Sequence, residues 1–344
     1  MKKNILILFV CFVYFSAFGG NEQRVGQAGG TQLLINPWAR SSGWGLSNSA
    51  SIRGLEAQFA NVAGLAFTNS TELVLSRTNW LSSGGGMSVG NINSFGFSQK
   101  VGESGVLAMG IMTLNFGDID ITTVDLPEGG IGSFSPSFSN IGISYAKEFS
   151  NSIYGGFTLR VISERISNVS SGGMAFDAGI QYVTGDNDRV KFGVALRNVG
   201  PRLMFKGDGL SFRGWVNNDD YTMTLEQRSE GYELPSLLNI GLSYDILPAQ
   251  FHRITTAATF TSNAFQKDLY RFGFEYSFRD MFMFRSGYVL EPESSLDNST
   301  FLKGPTAGFT IEVPLGGTKF GLDYSYRHSD PFQGSHSFGL RIDL

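Results

Sequence analysis

From about residue 70 onward, hydrophobic and polar residues alternate one for one through segments of strand length. In 269–279, Tyr270, Phe272, Phe274, Tyr276 and Phe278 fall on one side of an extended chain; Arg271, Gly273, Glu275, Ser277 and Arg279 fall on the other. Successive side chains of a strand point to opposite faces, so this segment has one apolar wall and one polar wall. The same division runs through 318–328, 337–344, 237–246 and 189–197. Segment 105–116 is apolar on both faces, and 250–262 is blurred by threonine and alanine.

The pattern predicts fourteen strands, at about 72–81, 87–99, 105–117, 138–149, 152–165, 170–184, 189–198, 235–247, 250–262, 269–279, 280–290, 305–314, 317–328 and 335–344. Six links are tight or nearly so: 101–104, 150–151, 185–188, 248–249, 279–280 and 316. The intervening links are mostly longer, above all 118–137, 199–234 and 291–304. A soluble sandwich also alternates, with its apolar face turned into a core, but it does not require short and long links to alternate. An outer-membrane barrel does, because its periplasmic turns are short and its external loops long. Closing the sheet pairs every backbone N–H and C=O between strands, which permits an apolar outer face in lipid. The expected fold is therefore all-β: a transmembrane antiparallel barrel of about 14 strands, residues 71–344.

On this reading 272–288 is two strands joined by a tight periplasmic turn at Arg279-Asp280. Phe272, Phe274, Tyr276, Phe278, Phe282, Phe284 and Tyr288 face lipid. The lumen receives Arg189, Lys191, Arg197, Arg271, Arg279, Arg285, Arg327 and Arg341, balanced by Asp245, Glu275, Asp323 and Asp343. A solvated, self-paired lumen is the plainer reading of these mixed signs than a charge-selective filter.

The first 70 residues differ. Lys2 and Lys3 precede an apolar run, Ile5 to Phe15, and Ala17-Phe18-Gly19 offers small residues for cleavage, so residues 1–19 read as a signal peptide. The run is too short for a membrane helix. The only cysteine, Cys11, lies within it, which leaves no disulfide framework and no thiol nucleophile downstream. Residues 20–70 are irregular and rich in small residues, with a short helix expected over 52–60. They suit an N-terminal hatch tucked into the lumen, or else a loose arm.

Composition narrows the function. A chain with 42% hydrophobic and only 16% charged residues is no disordered tail, and nothing in its weakly acidic formal charge of −4 suggests a nucleic-acid partner, so none is expected. The three histidines, His252, His328 and His336, match no zinc spacing. The acidic stretch "DIDITTVD", 118–125, does not meet the spacing of a calcium loop. Gly86-Met87-Ser88-Val89-Gly90 has the G-x-S-x-G spacing, but it opens the strand predicted at 87–99 and not the strand-to-helix turn of a nucleophile elbow, and no phosphate-binding glycine loop occurs. No metal site, cofactor or enzymatic activity is expected.

Gln32 to Phe67 contains Leu33-Leu34, Pro37, Ala39-Arg40, Gly43-Trp44-Gly45 and then Phe59-Ala60-Asn61-Val62-Ala63-Gly64-Leu65, with Val62 where proline is usual. "FDAGIQY" (176–182), "LRNVG" (196–200), "LPSLLNIGLSY" (234–244) and "FGFEYSFRDMFMFRSGY" (272–288) follow in order. This ordered set resembles the PorV/PorQ family of Bacteroidetes outer-membrane proteins, distant relatives of the FadL-type barrels, and its opening leans toward PorV. The resemblance implies a fourteen-stranded barrel with a hatch, acting in type IX secretion without catalysis. It would receive cargo proteins through their C-terminal signal domains at the translocon and pass them to the sortase attachment complex.

Contacts of that kind would fall on the external loops. In 199–234, Leu203, Met204, Phe205, Leu210, Phe212 and Trp215 are more apolar than a solvated loop needs. A loop folded over the barrel mouth accounts for them equally. The alternative function is a FadL-like passive transporter of small hydrophobic compounds, with an apolar pocket near the hatch and a lateral opening at a kinked strand. A third is a soluble secreted β-rich binding module.

Overall fold

The computed structural model describes residues 24–83, 88–215, 221–292 and 302–344. The expected leader, with Cys11, lies outside them. Fourteen antiparallel strands close into a barrel. They are β1 (Thr71–Ser82), β2 (Ser88–Val101), β3 (Gly105–Asn115), β4 (Ser137–Ser150), β5 (Ile153–Ile166), β6 (Val169–Thr184) and β7 (Val190–Val199). The other half comprises β8 (Leu237–Ala249), β9 (His252–Asn263), β10 (Leu269–Phe278), β11 (Phe282–Leu290), β12 (Gly304–Leu315), β13 (Thr318–Arg327) and β14 (Ser335–Asp343). Each strand pairs with its sequence neighbours, and β1 pairs with β14 to close the ring. Two small hairpins, 119–134 and 211–226, belong to the loops on the long-loop side.

The alternation read from sequence is the inside–outside division of this wall. Phe272, Phe274, Phe282, Phe284 and Tyr288 are exposed on the outer surface, while Glu275, Ser277 and Arg285 are buried inside. The strand β3, apolar on both faces, turns Leu107 and Met109 outward and buries Val106, Ala108, Met112 and Leu114 inward. Its inner face meets other apolar groups, not water. The turn between β10 and β11 holds Arg279 and Asp280 at φ 55° and 52°, the left-handed conformation that reverses a chain tightly. Arg279 is therefore exposed in the turn and not in the lumen, a correction to the alternation, which was carried one residue past the strand's end.

Residues 31–67 run through the interior as short helical turns, Thr31–Leu34, Ala39–Gly43, Leu55–Phe59 and Val62–Phe67. The helix expected over 52–60 is a single 3-10 turn of five residues. This segment reaches both halves of the wall. Ser76 of β1 donates to Pro37 O at 2.8 Å, Gln58 to Gly142 O of β4 at 2.9 Å, and Gln181 of β6 to Ile52 O at 3.1 Å. Across the barrel, Thr259 of β9 donates to Ser47 O at 2.7 Å and Thr306 of β12 to Gly43 O at 3.0 Å.

Glycines on the inner wall make that approach possible. A Cβ at Gly193 would lie 2.6 Å from Ser49 O, one at Gly96 2.5 Å from a Leu55 methyl, and one at Gly287 2.5 Å from the Trp44 carbonyl carbon. These positions are glycine for want of space.

Candidate functional site

The interior has two unlike halves. Toward the long loops, the inner faces of β2 to β6 carry Ile92, Met112, Leu114, Phe138, Ile162 and Ala175, all buried. They form one cluster with Leu33, Trp38, Leu55 and Phe59 of the N-terminal segment and with Leu203 and Leu234 of the loop after β7. An apolar sector thus lines one side of the lumen, and in this structure it is filled by side chains from the segment and the loop.

The opposite sector, mainly β10 to β14, is charged. Arg285 donates through Nε to Glu275 at 2.5 Å and through Nη1 to Thr310 at 2.6 Å, with no exposed surface. Arg341 pairs with Glu56, and lies 3.6 Å from Glu72 and 3.7 Å from Asp323. Arg40 of the segment reaches Asp323 at 3.3 Å and Glu312 at 3.2 Å. Arg327 donates to Leu302 O at 3.2 Å. Arg271 is half-buried and points inward, and its Nε has no hydrogen-bond partner among the described residues. Arg189 is half-buried in the turn before β7, where its carbonyl accepts from Asp245 N.

Arg197 sits on the border of the sectors, donating to Leu33 O at 3.4 Å and standing 4.0 Å from Asp177. Asp177 is the hub there. Arg160 donates to it at 2.6 Å, and the backbone N–H of Asn198 at 2.7 Å. Arg160 also donates to Gln58 O and lies over the Phe59 ring at 4.5 Å. Sequence reasoning missed Arg160 and Asp177, although the alternation of "FDAGIQY" already places Asp177 opposite the outward Phe176. It missed Arg40, Glu56 and Glu72 as well; for the two in the segment no periodicity was present to signal them.

The register shifts at the short turns after β4 and β8, and away from the turns between β6 and β7. The register between β6 and β7 shifts at Phe176/Ala178, and β7 ends at Val199 while β6 continues outward to Val169. The outer half of β6 is met instead by the loop after β7: Ser170 and Lys206 exchange backbone hydrogen bonds at 2.9 Å, and Leu203 does so with Tyr232. Leu203 is buried over Gly173, so it is not available to a partner. This corrects its sequence assignment, because a glycine on the neighbouring strand draws it inward. Met204, Phe205 and Leu210 are half-buried; Phe212 and Trp215 stand exposed on the 211–226 hairpin.

Tyr232 fastens this closure. Its hydroxyl donates to Glu164 Oε2 at 2.8 Å and lies 2.9 Å from the Ser171 hydroxyl. Burial, then the neighbouring Glu164 against the opposing bond from Ser171, pushes its pKa up to about 12, so the hydroxyl stays protonated. The adjacent Glu233 accepts from Arg202 at 2.7 Å and from Arg24 at 2.8 Å, tying residues 24–29 to the loop.

Those two bonds, Arg202 first and then Arg24, hold the Glu233 carboxyl below its ordinary 4.5. A depressed carboxylate pKa stabilises the tie fully above pH 4.5, and the contribution is lost as pH falls through the folded value. Amide exchange of residues 24–29 is expected to rise between pH 7 and pH 3 beyond the intrinsic change. In Glu233→Gln the same amides should show protection that is lower and independent of pH. Equal protection in both proteins at pH 7 would contradict this.

No family model matches the chain, and no curated protein matches it. Among solved structures, the CymD monoaromatic hydrocarbon channel is 15% identical at a TM-score of 0.55, over 90% of this chain and 97% of that one. The Pseudomonas putida toluene transporter TodX is 11% identical at a TM-score of 0.52, over 86% of this chain and 93% of that one. These similar proteins are channels and transporters, and what this chain shares with them is the fold, a closed antiparallel barrel that here has fourteen strands.

Proposed function

We propose that this barrel is a passive outer-membrane route for small hydrophobic compounds, with residues 24–70 as its hatch. The observation that carries the reading is the apolar inner sector of β2 to β6, which gives such a compound a surface to follow inside an otherwise charged lumen wherever the segment and loop side chains that now fill it give way. The irregular wall between β6 and β7 supplies a place for lateral exit. Likeness in fold to barrels described as hydrocarbon channels supports the same class of cargo. Uptake of a monoaromatic series, toluene included, should fall in a deletion strain and recover on complementation. Unchanged uptake of every hydrophobic compound tried would end the proposal.

Membrane insertion itself has a direct test. Phe309, exposed at the middle of β12, faces lipid in this reading. An arginine near the bilayer midplane on a barrel's outer face costs about 2–4 kcal/mol. Phe309→Arg should lose that much stability when refolded into vesicles and little when assayed in detergent. Equal stability in vesicles would indicate a wall that meets no lipid.

A second reading is favoured by the 211–226 hairpin. It exposes Phe212 (51%), Trp215 (68%) and Met223 (44%), more apolar surface than a solvated loop needs. With the ordered sequence blocks, it supports a component of type IX secretion that docks the translocon, the sortase complex or cargo at its external face. Affinity purification from solubilised outer membranes should then recover those partners, and deletion should strand cargo in the periplasm. Normal surface display of all such cargo excludes this reading unless a paralogue substitutes.

A further inference from the structure

On the short-turn side, beneath the N-terminal segment, a cavity of about 720 Å³ opens between the turns that follow β6, β8 and β10. Its cations are Arg53 from the segment, Arg253 from β9 and Arg279 from the turn after β10. Most of its acids are already engaged. Asp245 accepts from Lys191 and from Thr255 at 2.8 Å, and Asp280 accepts from Arg253 and from Ser277, each at 3.0 Å. Asp188, exposed in its turn, is the only other carboxylate in the lining.

Arg53 and Arg279 are left over. Among the described residues, neither makes a side-chain hydrogen bond or ion pair, and both are exposed. Aromatic rings hold them instead. Arg53 lies over Phe67 at 4.6 Å, and Arg279 over Phe251 at 5.4 Å and Phe278 at 5.3 Å. A guanidinium held against a ring makes no hydrogen bond to it, so its N–H donors stay available to grip a carboxylate with two parallel bonds. Phe251 and Leu247 add an apolar patch to the same lining.

We infer that this periplasmic vestibule binds a small organic carboxylate, its charged end on Arg53 and Arg279 and its apolar body against Phe251 and Leu247. Arg53 belongs to the segment inside the barrel and Arg279 to the wall, so a bound anion ties one to the other. The inference is independent of what crosses the lumen.

Benzoate, with benzyl alcohol as its neutral counterpart, is titrated calorimetrically into the full-length barrel in detergent, beside Arg53→Gln and Arg279→Gln. Heat-modifiable migration reports folding of each variant. Saturable benzoate binding is expected, weakened about tenfold or more in either variant, since a hydrogen bond to a charged group contributes roughly 1.5–3 kcal/mol. Benzyl alcohol should not bind saturably. Arg279→Gln, in an exposed turn, keeps the experiment decisive if Arg53→Gln fails to fold. The site is overturned if the native barrel does not bind benzoate saturably, if the alcohol binds equally well, or if the folded variants bind as the native protein does.

Discussion

Gly193→Leu is expected to force the N-terminal segment out of place and turn a closed barrel into a conducting one. A Cβ at Gly193 meets Ser49 O at 2.6 Å and Ala50 Cα at 2.8 Å, and backbone atoms cannot rotate away as a side chain could. A Cβ on Gly241, the residue paired with it across the sheet, would lie 3.0 Å from the Ala50 nitrogen, so the wall there offers no room to retreat. Overpacking a filled interior costs about 1–3 kcal/mol even when neighbours yield. The sheet itself gains an ordinary β residue, so strain falls on the segment and the ring stays closed.

A ring of fourteen strands encloses more space than its wall side chains fill. Displacement of the segment therefore leaves a pore. Planar-bilayer recordings should show sustained ion conductance for Gly193→Leu and none for the native barrel. Val194→Leu, one residue along on the exposed outer face, should behave as native. A folded Gly193→Leu barrel that stays closed would show that the segment is not what seals the lumen.

The wall was far more legible in the sequence than its filling. Every strand lies within two residues of its predicted bounds, because two different surroundings act on alternate side chains and a slip of one residue would exchange them all. Arg279 shows where that logic stops: the turn at Arg279-Asp280 stands where the sequence puts it, yet alternation alone still counts Arg279 among the inward residues. Leu203 shows a second limit. Its apolar character was visible, but Gly173, which admits it, lies thirty residues away in the chain and on another strand. The inner glycines were likewise visible as small residues on a polar face. The backbone they accommodate, from Trp44 to Ala50, has no periodicity that would place it against them.

The second large effect is expected from Arg285→Met. Arg285 is wholly buried, bonded to Glu275 at 2.5 Å and to Thr310 at 2.6 Å, and it stands directly opposite Glu275 between β10 and β11. Removing it strands a carboxylate that is only 7% exposed, with Arg253 at 3.7 Å as its remaining cation. Breaking one member of a buried pair costs about 3–5 kcal/mol, chiefly because the other is left desolvated and unpaired. Removing both costs much less, since neither charge then has to leave water. Urea unfolding in detergent micelles should therefore give a large loss for Arg285→Met and a clearly smaller one for Arg285→Met with Glu275→Met. If the double variant instead loses as much as Arg285→Met and Glu275→Met lose separately, taken together, the residues are not coupled, and the charged half of the lumen is held by solvent and not by its own pairs. If the double variant recovers, the pair owes its place to something other than stability. Arg40 and Glu56 of the N-terminal segment join the same charged half through Asp323 and Arg341, so moving the segment out means parting those pairs and leaving the wall charges only one another.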